Sequence, residues 1–111
     1  MNLKSSVSDD AMVITVEADR IDAAVAIRFK DLFRDAAQGA AQRVILDLSR
    51  VQFIDSSGLG AVVAAMKLLD REKTLELAGL TPTVAKVFRL TRMDSVFKIH
   101  GSLDEAGLVA G

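Results

Sequence analysis

The chain has 111 residues, of which 50% are hydrophobic, and its 14 basic and 15 acidic side chains leave a net charge of −1. That length and composition fit one domain, residues 1–111, with a real core and no basic face for nucleic acid. There is no cysteine, tryptophan or tyrosine and only one histidine, His100. Disulfides, thiolate metal sites, cysteine nucleophiles and stacked aromatic platforms are thereby excluded.

Leu3 to Val7 is a polar, weak strand suited to a sheet edge, and Asp9-Asp10 suits the hairpin turn after it. Met12-Val-Ile-Thr-Val16 is rich in β-branched residues and is a stronger strand. Asp22 stands where a helix N-cap belongs, its carboxylate able to accept from first-turn amides. Val25, Phe29, Leu32, Phe33 and Ala36 then fall on one helical face, and Gly39 closes that helix. Arg43 to Leu48 is a nearly unbroken apolar run, the pattern of a strand covered on both faces, and Val51-Gln-Phe-Ile54 extends the chain beyond it. A helix is predicted from about Gly58 to Asp70, with Leu59, Val62, Val63, Met66 and Leu69 as its buried stripe. Thr74 to Ala78 alternates as a strand. Thr81-Pro82 supplies a cap and a first-turn proline for a third helix, from which Val84, Val87, Phe88 and Met93 face inward. Phe97 to His100 is a short last strand, and Ser102-Leu-Asp-Glu105 is a capping box for a terminal helix ending near Val109.

The order ββαβαβα(β)α implies an α/β fold with right-handed crossovers and parallel strands, plus an antiparallel opening hairpin. It amounts to a mixed four- to five-stranded sheet with about four helices. The N-terminus, Met-Asn-Leu-Lys-Ser-Ser, lacks the apolar core of a signal peptide. The longest apolar stretch, Gly58 to Met66, falls well short of the roughly 20 residues of a membrane helix. A soluble, cytoplasmic protein without membrane attachment is expected.

The segment Asp55-Ser56-Ser57-Gly58-Leu59-Gly60 joins a strand end to a helix start. Ligand-facing groups gather there in open α/β sheets, and the first helical amides and the helix dipole favour an added anion. Gly58 and Gly60 are expected to leave the backbone uncovered for an approaching protein. No lysine completes a nucleotide-binding P-loop. The same residues also make an ordinary helix cap, with Asp55 as the cap and Ser57 as a second one. On spacing alone both readings stand.

The residues Leu46-Asp-Leu-Ser and Val51-Gln-Phe-Ile-Asp-Ser-Ser-Gly-Leu-Gly60, taken with the element order, resemble the STAS domain. More narrowly they are similar to bacterial anti-sigma factor antagonists. Arg20-Ile-Asp22 before the first helix and Thr81-Pro-Thr-Val-Ala-Lys-Val-Phe-Arg-Leu90 extend the likeness over nearly the whole chain. The resemblance implies that Ser56, directly after the acid, is the phosphoacceptor and that Ser57 is the second hydroxyl. It further implies that Asp22 and Asp55 flank the partner-binding surface that Ser56, Ser57, Gly58, Leu59 and Gly60 complete. The implied partner is an anti-sigma factor that is also a serine kinase of the histidine-kinase-like ATPase type. Its phosphorylation of the chain breaks the complex, and a metal-dependent serine phosphatase reverses it. The family implies a monomer, while the inventory of one histidine, no cysteine, no metal-ligand cluster and no glycine-rich nucleotide loop with lysine argues against catalysis, a cofactor or a metal. The opening Asp22-Ala-Ala-Val-Ala26 departs from many relatives, which carry a hydroxyl or Asn a few residues after the acid. An alternative within the same fold is a constitutive STAS subunit or scaffold of a larger lipid-transport or signalling complex, in which Ser56 is never phosphorylated.

Overall fold

A computed structural model describes residues 1–8, 11–39 and 42–107 of the chain. β1 (Asn2–Ser8) and β2 (Ala11–Glu17) form the expected antiparallel hairpin, with Asn2 opposite Glu17 and Ser8 opposite Ala11. The Asp9-Asp10 turn lies outside the described residues. β4 (Arg43–Asp47), β6 (Thr74–Ala78) and β7 (Lys98–His100) add in parallel, so that the sheet runs β1-β2-β4-β6-β7. The polar β1 takes an edge, and the apolar β4 takes the centre, where Val44 to Asp47 are all buried. Between these strands come β3 (Arg20–Ile21) and β5 (Phe53–Ile54), which pair in parallel as a separate two-stranded sheet.

The helices α1 (Ala26–Ala36), α2 (Ser56–Leu68) and α3 (Pro82–Leu90) share one core with one face of the large sheet. Ile14, Val16, Val44, Leu46, Leu75 and Leu77 from the strands meet Phe29, Phe33, Val62, Val84 and Phe88 from the helices. Phe97 packs edge-on against Phe88 at 6.1 Å. A short 3-10 turn (Met93–Ser95) leads from α3 into β7, where Arg92 takes a left-handed φ of 61°.

Two helix starts depart from expectation. α1 begins at Ala26, with Val25 at the cap position, rather than directly after Asp22. The Asp22 carboxylate does accept from Ala24 N, at 3.1 Å, but it caps a turn before the helix, closed by Val25 N–H to Asp22 O at 3.1 Å. Thr81 holds the α3 cap position without capping, because its hydroxyl donates to Val51 O at 2.7 Å. α2 also turns a different face inward. Gly58, Ala61, Val62 and Ala65 are its buried residues, whereas Leu59, Val63, Met66 and Leu69 are half-buried and flank the contact. Small side chains let the helix axis come close, and the larger ones then straddle the line of contact.

The second sheet face carries a smaller cluster of Ala11, Ile45 and Ala78, covered by Leu103. Leu103 belongs to the segment expected to be a terminal helix, which is a series of turns through Gly107. Ser102 Oγ accepts from Glu105 N at 3.1 Å, as a capping box requires. The Glu105 carboxylate, however, reaches Gly101 N at 2.8 Å rather than the Ser102 amide, and Gly107 turns left-handed at φ 84°. Those two features leave the segment as turns instead of a helix; Val109 is outside the described residues.

This strap is tied down by Arg43, which donates to Ala106 O at 2.9 Å and forks onto Glu76 with two bonds of 2.9 Å. His100 Nε2 meets the same carboxylate at 2.7 Å. Arg43, foremost, and His100 push the buried Glu76 carboxyl down to about 2, against the desolvation that raises it. A carboxyl lowered in the folded state stabilises above its unfolded pKa, here 4.5, and that contribution is lost as pH falls toward 2. The melting temperature is therefore expected to fall across that window. Glu76→Gln should melt lower than wild type at pH 7 and show a shallower fall between pH 4.5 and 2. Parallel melting curves of the two proteins would expose a wrong assignment as identical slopes.

Candidate functional site

β3 and β5 bring two distant acids together. Arg20 is paired with Phe53 and Ile21 with Ile54, so the strands end side by side in Asp22 and Asp55. Asp19 O receives both Gln52 N (2.7 Å) and Phe53 N (3.2 Å), which fixes where the two strands enter. Ile21 and Ile54 point into the core, while Phe53 is exposed.

Asp55, in extended conformation (φ −105°, ψ −175°), is the N-cap of α2. One carboxylate oxygen accepts from Gly58 N at 2.8 Å and the other from Ala23 N at 3.1 Å. The side chain therefore clasps the first turn of α2 to the turn that follows Asp22. The Gly58 amide, foremost, and the Ala23 and Ser57 amides hold its carboxyl below the ordinary value, against the desolvation of its position. Asp55 is accordingly a fixed anion, and a group so bound and so acidic is a poor proton acceptor at neutral pH.

The helix starts at Ser56, two residues earlier than the sequence pattern indicates, so Ser56 and Ser57 are its first two residues. Both are exposed, and neither hydroxyl has a hydrogen-bond partner among the described residues. Ser57 is thus not a second cap. Gly58 is not an open position either. It is buried, and a Cβ there would overlap the Ile21 carbonyl oxygen and lie 2.7 Å from the Ile21 carbonyl carbon and 3.0 Å from Ile54 Cγ1. Gly60 does face open space, with nothing within 4 Å of its Cβ position, and Leu59 is half-buried against the core. The expected set divides into exposed Ser56, Ser57 and Gly60, fixed acids Asp22 and Asp55, and supporting Gly58 and Leu59.

Two neighbours that spacing did not single out, Arg20 and Phe53, lie beside the two acids on β3 and β5. The Arg20 guanidinium lies 5.5 Å from the centroid of the Phe53 ring and pairs with Asp22, Nε to Oδ2 at 3.2 Å. A two-residue strand offers no periodicity from which either role could be recovered. Among the described residues no group of three or more His, Cys, Asp or Glu could hold a metal ion, and no helix is long and apolar enough to cross a membrane.

Residues 2–106 match the model of the STAS domain. An anti-sigma-B factor antagonist of Listeria monocytogenes is 33% identical over 85 residues, which make up 74% of this chain and 73% of that protein. The crystal structure of an anti-sigma factor antagonist from Mycobacterium paratuberculosis aligns with 95% of this chain and 89% of its own, with a TM-score of 0.83 and 24% identity. The phosphorylated form of SpoIIAA, a Bacillus cell fate determinant, aligns over 94% of this chain and 95% of its own, with a TM-score of 0.65 and 25% identity.

Proposed function

The chain belongs to the STAS domain family, among its anti-sigma factor antagonists, and we propose that it works by partner switching controlled at Ser56. In its unphosphorylated form it binds an anti-sigma factor that is also a serine kinase of the histidine-kinase-like ATPase type, and so frees the sigma factor. The kinase transfers the γ-phosphoryl group of ATP to Ser56 Oγ, the hydroxyl proton leaves with the kinase's base, and ADP departs. A metal-dependent serine phosphatase hydrolyses the phosphoester with water and resets the cycle. On this reading the chain acts in the bacterial cytoplasm as a monomer, as a substrate and binding partner rather than a catalyst.

The observation that carries the reading is the Ser56 hydroxyl, exposed and unpartnered among the described residues on the first residue of α2. Nothing internal has to be broken for a kinase to reach it. Asp55 beside it is committed to two amides, which supports activation of the hydroxyl by the partner instead of by the chain itself. An added phosphate brings about −1.5 to −2 charges at pH 7. The positive end of the α2 dipole offsets part of that charge, so that its main effect falls on whatever is docked above.

The test is to incubate the protein with ATP and a purified histidine-kinase-like anti-sigma factor from the same bacterium, then map phosphate by mass spectrometry. Wild type should be modified at Ser56 alone and Ser56→Ala not at all. An unmodified Ser56 peptide, with the kinase active on itself or on another substrate, would overturn the switch and favour the constitutive scaffold.

A further inference from the structure

Resting on the partner-switching reading, we infer that Phe53 and Arg20 form the anchor by which the anti-sigma factor grips this chain beside Ser56. The five phenylalanines divide sharply. Phe29, Phe33, Phe88 and Phe97 are buried, whereas Phe53 is 43% exposed. It sits on the small β3–β5 sheet, two residues before Asp55, and the guanidinium of Arg20 covers part of its ring. The Arg20 side chain is itself 58% exposed. Its Nε pairs with Asp22, and its Nη groups make no hydrogen bond to any described residue.

The pair therefore presents an apolar ring edge and an outward cationic donor, continuous in sequence and space with the clasp of Asp55 on Ala23 N and Gly58 N that sets the position of Ser56. Aromatic residues and arginine are the types that concentrate binding energy at the centre of protein interfaces. The chemistry selects the occupant's surface. It needs an apolar side chain to cover the Phe53 ring and a carboxylate or carbonyl acceptor for the Arg20 fork. A kinase that must bring its own active site over Ser56 can meet both requirements in the same contact. A membrane surface is disfavoured because Asp22 and Asp55 stand at the same place as the cation.

Isothermal titration with the purified histidine-kinase-like anti-sigma factor that phosphorylates the chain in the preceding test, with ADP present, tests this directly. Phe53→Ser and Arg20→Ala should each weaken binding by about thirtyfold or more. Val7→Ser removes an even more exposed apolar residue, 68% exposed, at the far end of β1, and should bind as wild type does. Arg20→Ala guards against a folding artefact, because most of its side chain is in solvent and its melting temperature should be unchanged. The inference fails if Arg20→Ala binds within about threefold of wild type, well inside the loss expected at an interface hot spot. It also fails if Val7→Ser is as defective as the other two. Wild type that neither binds the kinase nor accepts phosphate removes the partner-switching reading and this inference with it. Wild type that binds and is phosphorylated while Arg20→Ala does the same overturns the anchor alone.

Discussion

Ser56→Asp is expected to melt like the wild type and to lose the anti-sigma factor almost completely, with affinity reduced several-hundred-fold. The fold has little reason to notice the change. Ser56 is exposed, and its hydroxyl holds no other described residue. A carboxylate in the first turn of a helix is favoured by the dipole by about 0.3–1 kcal/mol, which offsets repulsion from Asp55 next door. The interface has no such compensation. A charge pressed against a partner loses water, and without a matching cation the cost is about 3–4 kcal/mol. Since 1.4 kcal/mol is tenfold, this corresponds to several hundred-fold in affinity. Aspartate carries one charge where phosphoserine carries nearly two, so the phosphorylated chain should bind no better than the variant. Titration calorimetry with the kinase, paired with a melting curve, separates the two effects. An unfolded Ser56→Asp, or a folded one with wild-type affinity, would each be fatal to the charge-switch account.

The strands β2, β4 and β6 are legible because runs such as Val44-Ile-Leu46 satisfy a local rule over enough residues. The first acid of the site, Asp22, and the second, Asp55, are legible as caps, yet nothing local says that they converge. Their convergence is made by β3 and β5, two residues each, and by a carboxylate that takes one amide from each side. The start of α1 is hidden for a related reason. Asp22 carries the cap chemistry, but it spends it on a turn, and the helix follows only after Val25. The terminal helix fails in the same way: Ser102 caps as its sequence indicates, while Glu105 binds one residue off and Gly107 turns left-handed. In each case the local signal is present and a tertiary contact decides how it is used.

Gly58 and Gly60 both stand near the start of α2, and the fold separates them. Alanine is favoured over glycine within a helix by about 1 kcal/mol, so propensity alone gives both Gly→Ala changes the same stabilising sign. Gly60→Ala should follow propensity, since nothing lies within 4 Å of the added carbon. Gly58→Ala should reverse it. The new carbon would overlap the carbonyl oxygen of Ile21 and crowd buried Ile54, neither of which is a flexible side-chain end that can swing away. Overpacking of this kind costs about 1–3 kcal/mol and sometimes more, and here relief requires α2 to move off β3. That movement would also stretch the Asp55 bonds to Gly58 N and Ala23 N. After the propensity gain, a net loss of up to about 2 kcal/mol remains, which for a domain of this size lowers the melting temperature by up to roughly 10 °C. Gly60→Ala should raise it by a few degrees. The two variants should part in binding too. Gly58→Ala loosens the clasp that sets Ser56, whereas Gly60→Ala leaves it intact, so a binding defect confined to Gly58→Ala would tie the switch to the contact between α2 and β3. Equal stability of the two variants would overturn the close-contact role given to Gly58.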